Sequence, residues 1–359
     1  MTNQKRPTLT KVILTAGVDL KLEPFSNSFL TAVNQCPTWG IIRYGKRRTY
    51  SETARALALE AGSVMHRVFA TVRLWQLDRI QGQNKLANMR GEQIFGVKEW
   101  DQIRAISGEK NADHREELMS WCFEAVHTSG YYDMPGDDIR TIANMEGAAI
   151  KYVDEQLEVM ENWPIYFDVK ARFVGIEQTG DVVLVYSDNT RIRYIGTIDG
   201  VLSNARKPKD SLWLAENKTA SRLSDAWRLA FEINHQVTGY CIIGTTMLSR
   251  PIFNVKVFGL KIKQTGYHDD YVPFEPQPRT QEAIQTFARW VYHTVKEIYE
   301  PNLRDWENAP RYTHSCNRYF RPCALIPFCG DTVEGRQMQF DEMVEADPTP
   351  SERAIMELS

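Results

Sequence analysis

The sequence predicts a mixed α/β (α+β) protein, a β-sheet with helices packed on it and a large helical region placed before the sheet. Three observations carry this. Over residues 51–161, apolar residues recur at helical spacing in segments such as SETARALALEAGSVMHRVFATVRLW and DDIRTIANMEGAAIKYVDEQLEVM. From about Trp163 the texture changes to runs of β-branched and aromatic residues with turn residues between them, as in IYFDVKARFVGIE, DVVLVYSD and TRIRYIGTIDGVL. Helix, strand and helix then follow in order, which sets helices against a sheet.

The elements can be justified in sequence. FSNSFLTAVNQCPTWG starts a helix capped by Ser26 or Asn27, with Phe29, Leu30 and Val33 at helical spacing, and Pro37 bends or restarts it. Gly and Asn breaks near 82–91 and 129–136 divide the helical region. SLWLAENKT is a short strand, SDAWRLAFEINHQVTGYCIIGTTML returns to helix with Ser224 as N-cap, IFNVKVFGLKI is a strand, and TQEAIQTFARWVYHTVKEIY is an amphipathic helix. The expected divisions are an N-terminal segment 1–50, a helical region 51–162, a sheet-bearing core 163–300, a cysteine segment 301–330 and a flexible acidic tail 331–359.

The chain has 359 residues, 43% hydrophobic and 25% charged, enough for one large domain or two ordinary ones. No apolar run is long enough to span a bilayer, and the N-terminus lacks the pattern of a secretory signal. The expectation is a soluble, cytoplasmic protein with no membrane partner. The net charge of −3 is unevenly spread. Residues 331–359 hold eight acids and two bases; taking them from the total of 46 and 43 leaves 38 acids and 41 bases, a net of +3 for the body. The tail reads as a solvated end, with competition against nucleic acid for the basic body as the alternative.

The stretch GTIDGVLSNARKPKDSLWLAENKTA places Asp199 on one expected strand and Glu216 and Lys218 on the next. Two strands joined by a turn can bring both carboxylates to one end of a sheet, and Lys218, two residues after Glu216, points to the same face. Burying these groups together is costly unless they pair or bind a metal. Carboxylate oxygens suit Mg²⁺ or Mn²⁺, and a neighbouring lysine can orient water and stabilise developing charge. An interstrand salt bridge is the plainer reading of the same three residues.

With their surroundings, these residues resemble motifs II and III of the PD-(D/E)xK nuclease superfamily, in the style of RecB, AddB and the CRISPR-adaptation nucleases. Further features fall in the family's order: AGSVMH with His66, FVGIE with Glu177, HQVTGY with Gln236 and Tyr240, and the cysteines. The resemblance spans about residues 25–330. It implies a restriction-endonuclease-like sheet, with Asp199, Glu216, His66 and the backbone carbonyl of Asn217 as ligands of Mg²⁺ or Mn²⁺ and Lys218 as the catalytic lysine. Gln236 and Tyr240 would contact DNA or orient that lysine.

Cys316, Cys323 and Cys329 lie in SCNRYFRPCALIPFCG, and Cys36 lies far upstream in NQCPTWG. By the same resemblance, the four hold a [4Fe-4S] cluster as a staple between the first helix and the C-terminus; four-cysteine zinc is the alternative. The first C-terminal spacing, C-x6-C, is longer than the family's common C-x2-C. Cys122 and Cys241 read as core residues.

The expected function is metal-dependent DNA cleavage, exonucleolytic in action, in recombination, repair or replication. DNA is the expected partner, single- or double-stranded, with a recombination protein or a second copy of the chain as further partners. No G-x-x-x-x-G-K-[ST] phosphate loop is present, so the chain is not a full helicase–nuclease; a phage-encoded nuclease fits that. The alternative is a non-catalytic iron–sulfur DNA-binding or scaffold subunit. RYGKRRTY (Arg43, Lys46, Arg47 and Arg48 with Tyr44 and Tyr50) reads either as a single-strand contact or as a solvated loop, and Arg206, Lys207 and Lys209, in the turn between the two strands, are candidates for phosphate contacts near the site.

Overall fold

A computed structural model describes residues 7–49, 57–105, 113–131, 140–170, 173–206, 212–220, 222–262, 271–312, 314, 316–318, 321–348 and 353. Tyr50, Lys207 and Lys209 of the expected phosphate contacts lie outside the described residues.

Strands β1 (Leu9–Leu14) and β2 (Pro24–Ser26) lead into α1 (Asn27–Gln35). Ser26 caps α1, its Oγ accepting from the Phe29 N–H at 3.2 Å. Pro37, which needs no N–H partner at the first helical position, opens the one-turn α2 (Pro37–Gly40). Strand β3 (Arg48–Thr49) precedes the helical region, which holds α3 (Leu57–Trp75), α4 (Asn84–Phe95), α5 (Val97–Ala105), α6 (His114–His127) and α7 (Ile142–Met160). Gly96, at φ 83°, separates α4 from α5, a conformation glycine adopts without steric cost.

Then come β4 (Phe167–Asp168), β5 (Phe173–Val174), β6 (Ile176–Tyr186), β7 (Arg191–Ser203) and β8 (Leu212–Thr219). The single helix expected after Ser224 is two, α8 (Asp225–Leu229) and α9 (His235–Leu248). Asn234 breaks them by capping α9, its side chain accepting from the Val237 N–H at 3.0 Å. The chain continues through β9 (Asn254–Leu260), β10 (Tyr271–Phe274), α10 (Gln281–Tyr292) and α11 (Glu300–Arg304). It ends with β11 (Asn317–Arg318), β12 (Arg321–Pro322), α12 (Ile326–Gly330), α13 (Val333–Glu342) and β13 (Val344–Glu345).

The chain divides into two compact units, each mixing helices with strands of both senses. One comprises Met1–Ala54, Thr179–Gly196 and Gln281–Ser359; the other comprises Arg55–Gln178 and Thr197–Thr280. Two of the crossings fall inside β6 and β7, so the expected core 163–300 contributes to both units.

In the second unit, β7 runs antiparallel to β8 from Gly200↔Ala215 to Ser203↔Leu212. β8 is parallel to β9 from Trp213↔Asn254 to Thr219↔Leu260, and β9 is antiparallel to β10. One apolar cluster joins Ala215, Phe258 and Tyr271 of these strands to Phe69 of α3 and Tyr152 of α7. Trp75, Trp100 and Trp121 are fully buried within it, each contributing a large apolar area.

In the first unit, β1 is antiparallel to β6 from Leu9↔Tyr186 to Leu14↔Val182, and β2 is parallel to β7 from Pro24↔Arg193 to Ser26↔Ile195. Phe25 and Phe29 meet the Tyr299 ring edge-on at 5.4 and 5.1 Å, and Tyr194 packs on Phe287 at 5.3 Å.

The acidic segment, expected to be a flexible tail, is folded through its described part. β13 pairs with β3, Val344 opposite Thr49 and Glu345 opposite Arg48. The Ala346 N–H donates to the Arg47 carbonyl at 2.7 Å, while Arg43 and Arg48 donate to the carbonyls of Asp347 at 3.0 Å and Met343 at 3.1 Å. Met343 and Ala346 are buried, and these apolar anchors outweigh the segment's charge. Part of RYGKRRTY takes part in these contacts. Besides the hydrogen bonds of Arg43 and Arg48 to the tail, Tyr44 stacks on Phe29 at 5.1 Å and Lys46 lies over Trp306. Hydrogen bonds from charged donors contribute about 1.5–3 kcal/mol each. Truncation after Glu342 is therefore expected to lower the thermal midpoint by several degrees in a calorimetric scan.

Candidate metal and catalytic site

Extending the β7–β8 ladder one step beyond Gly200↔Ala215 brings Asp199 opposite Glu216. The pairing of these two strands thus sets the acids side by side. A Cβ on Gly200 would sit 3.0 Å from that of Ala215, so a glycine beside Asp199 lets the strands close here. The Asn217 N–H donates to Asp199 Oδ2 at 2.7 Å, fixing one carboxylate oxygen and leaving the other free to face His66.

His66 comes from the middle of α3. Its Nδ1 is 3.6 Å from Glu177 Oε1 and 3.7 Å from Asp199 Oδ1. Among the described residues, His66, Glu177 and Asp199 form the one group of three potential metal donors within 4.8 Å of one another. Glu216 is fully buried. Lys218 Nζ stands 2.6 Å from its Oε1, while Oε2 is buried without a hydrogen-bond donor among the described residues. The ion pair thus engages one oxygen and leaves the other uncompensated. Glu177 Oε1 is likewise buried without a directed hydrogen bond. Orphaned buried carboxylate oxygens of this kind are rare, because each forfeits its hydration; they fit a site built for a cation.

Gln236 and Tyr240 sit one turn apart on α9, Gln236 Nε2 donating to the Tyr240 hydroxyl at 2.8 Å. Burial, and then Glu216 and Asp199, hold the Tyr240 phenol well above its ordinary value, so the hydroxyl stays protonated beside the acids. Asn217 is also held from behind. The Tyr152 hydroxyl donates to Asn217 Oδ1 at 2.9 Å. Arg73, also buried, counters the rise that burial imposes on the Tyr152 phenol.

The charges oppose one another throughout. Burial lowers the His66 imidazole, but Asp199 and Glu177 outweigh it and raise it to about 9. Burial raises the Glu216 carboxyl to about 7 against the pull of Lys218, and burial also raises Asp199. Lys218 is disfavoured by burial, yet Glu216 and Asp199 hold it charged, above its ordinary value.

The sequence-predicted residues Asp199, Glu216, Asn217, Lys218, His66, Gln236 and Tyr240 thus belong to one unit. Glu177, the faintest signal in the sequence, stands in the group of three. Arg90 and Tyr152, contributed by the helical region, carried no sequence signal. Arg206 is exposed after β7, and its backbone N–H donates to Asn204 Oδ1 at 2.9 Å.

The four cysteines lie in the other unit. Burial pushes the Cys329 thiol up to about 11; Arg311 pulls it down, and Cys36, Cys323 and Cys316 add to the rise. Cys329 is therefore within electrostatic reach of the other three. The Cys323 N–H donates to the Cys316 carbonyl at 2.7 Å, which brings these two together despite the longer spacing. Among the described residues, no three of these thiols come within 4.8 Å of one another. Cys122 and Cys241 are buried core residues.

No protein-family model matches the chain, and no curated protein matches it. Among solved structures it is similar to SSO0001, with 14% identity over 61% of this chain and 97% of that one, at a TM-score of 0.28. A likeness of that size carries no argument, and the functional reading rests on the residues themselves.

Proposed function

We propose that the chain is a metal-dependent deoxyribonuclease of the PD-(D/E)xK type, acting exonucleolytically on linear DNA. The observation that carries the reading is Glu216, a fully buried carboxylate whose Oε1 meets Lys218 at 2.6 Å while Oε2 lacks a donor, set opposite Asp199. A purely structural salt bridge would have no use for a second buried acid and an unsatisfied oxygen at the same place. Asp199 and Glu216, with His66 and the Asn217 carbonyl, are the residues that would hold Mg²⁺ or Mn²⁺. Such an ion, when bound, neutralises phosphate charge and lowers the pKa of an attacking water. Lys218 would then orient that water and stabilise charge on the phosphate. The Gln236–Tyr240 pair would fix the position of the neutral phenol at the same end of the site.

The test is an assay on linear single-stranded, linear duplex and closed circular DNA with Mg²⁺, Mn²⁺ or EDTA, with Lys218→Ala in parallel. Metal-dependent loss of linear DNA that disappears in Lys218→Ala is expected, with the circles spared. DNA binding without cleavage by folded protein would instead favour the scaffold reading.

The four cysteines are read as ligands of a [4Fe-4S] cluster that staples α1 to the C-terminal segment. Four thiolates are what such a cluster requires; a tetrahedral four-cysteine zinc is the alternative. Cys323→Ala is expected to lose the broad visible absorbance of the cluster and to lower folding stability, while metal binding at Asp199 and Glu216 persists. Unchanged absorbance and stability would remove the cluster.

A further inference from the structure

We infer that Arg90 is a positioning residue for Glu177: its guanidinium clamps two successive backbone carbonyls and holds Glu177 in a left-handed conformation that turns the carboxylate toward His66 and Asp199. The clamp belongs to this chain's own geometry; its consequence for a bound cation rests on the metal reading above.

Glu177 has φ 47°. A residue with a long side chain enters that region only at a cost, and surrounding contacts must enforce it. Asn189, another residue with positive φ, needs no such enforcement, because asparagine tolerates the region in turns. Glu177 is instead the second residue of β6, where extended backbone is the default. Just before it, regular pairing is intact: Gly175 donates to the Tyr166 carbonyl at 3.0 Å and accepts from the Val201 N–H at 2.9 Å. Arg90 takes the next two carbonyls. Its Nε donates to Ile176 O at 2.7 Å, and its Nη2 donates to Glu177 O. Its Nη1 is fixed by Gln93 Oε1 at 2.8 Å, one turn along α4.

A planar guanidinium fork is suited to holding two acceptors in fixed relation, which an ammonium point charge is not. With both carbonyls fixed, the peptide planes on either side of the Glu177 Cα are set. The side chain then sits 3.6 Å from His66 Nδ1, with Oε1 buried and short of a hydrogen bond. Relaxation to extended backbone would rotate the carboxylate out of the group of three.

Two measurements on the full chain test this. The first is thermal unfolding of wild type, Arg90→Met, Glu177→Gly and the double variant. Glycine adopts positive φ freely, so Arg90→Met is expected to lower the midpoint less in the wild-type background, where losing the clamp also relieves the strain at Glu177, than in the Glu177→Gly background, where the lost hydrogen bonds are not offset. Equal drops in the two backgrounds would overturn the clamp. The second is calorimetric titration with Mn²⁺ alone. Arg90→Met is expected to weaken affinity 10- to 100-fold, as loss of supporting contacts to ligands does. Glu177→Gln should weaken it to a similar degree, the pair together no more than Glu177→Gln alone, and Arg90→Lys should fall between wild type and Arg90→Met. Fully additive losses would assign Arg90 a role unrelated to Glu177 and overturn the proposal. A wild-type chain that takes up no Mn²⁺ would refute the metal reading, while the unfolding comparison would still decide the clamp.

Discussion

Glu216→Gln is expected to abolish Mn²⁺-dependent cleavage, by on the order of 10³-fold or more, and at the same time to raise the thermal midpoint of the metal-free protein above pH 7. Both effects come from the same burial. The Glu216 carboxyl is raised from its ordinary value of 4.5 to about 7 by burial, with Lys218 acting in the opposite direction. A folded-state pKa above the unfolded one means that the folded chain holds this proton more tightly. The stability it contributes is full below pH 4.5 and is lost as pH rises through about 7. Above that, a buried ionised carboxylate that Lys218 offsets only in part costs of the order of a few kcal/mol. An amide of the same shape carries no charge to desolvate. Calorimetric scans in EDTA should show the variant melting a few degrees higher at pH 8 and close to wild type at pH 4. A lower midpoint at pH 8 would mean that the Lys218 ion pair outweighs desolvation, and the case for a cation site would lose its main support. A residue that destabilises the empty protein is understandable where function requires it.

The acids and the lysine were legible because their geometry is local. A turn between two strands and a two-residue offset are enough to put Asp199, Glu216 and Lys218 at one end of a sheet. His66 and Glu177 were legible only through the family resemblance, since nothing in AGSVMH or FVGIE fixes where a helix crosses a sheet. The left-handed backbone at Glu177 was hidden, because its cause lies 87 residues away in Arg90. Tyr152 was hidden for the same reason; its bond to Asn217 spans 65 residues. Periodicity reports which face of a helix is buried, not which polar group on that face finds a partner.

Two organisational features followed a similar logic. The division into units passes through β6 and β7 without a loop, so no change in composition marks it. The tail was misread because net charge was weighed above pattern. Phe340, Met343 and Ala346 recur every three residues among the acids, and Met343 and Ala346 are the anchors that are buried. Arg43 and Arg48 of the basic run have backbone carbonyls of the tail as partners, which neither charge counting nor aromatic interleaving can reveal.

The affinity for Mn²⁺ is expected to rise steeply with pH, and over two windows with different slopes. In the metal-free protein His66 is held as imidazolium to about pH 9, Asp199 and Glu177 outweighing the effect of burial. A histidine ligand must be neutral, so Mn²⁺ has to displace its proton. Between about pH 7 and 9 one proton leaves per ion bound, and affinity should climb roughly tenfold per pH unit. Below about pH 7 Glu216 is protonated as well, and the slope should approach a hundredfold per unit. Titration calorimetry at pH 8 in two buffers of different ionisation enthalpy should report release of about one proton, and His66→Ala should remove it. A flat affinity profile from pH 7 to 9 would exclude His66 from the ligand set. The same shift has the opposite consequence for folding. A histidine raised above its ordinary 6.5 contributes stability that is complete below that pH and lost as pH rises through about 9. Protons and the cation therefore stabilise the same cluster in complementary ranges. At low pH, protons on His66 and Glu216 offset the negative charge of the cluster; at higher pH their departure leaves Asp199 and Glu216 ionised and buried, and the free energy they would release on binding a cation is greatest where the metal-free fold is weakest.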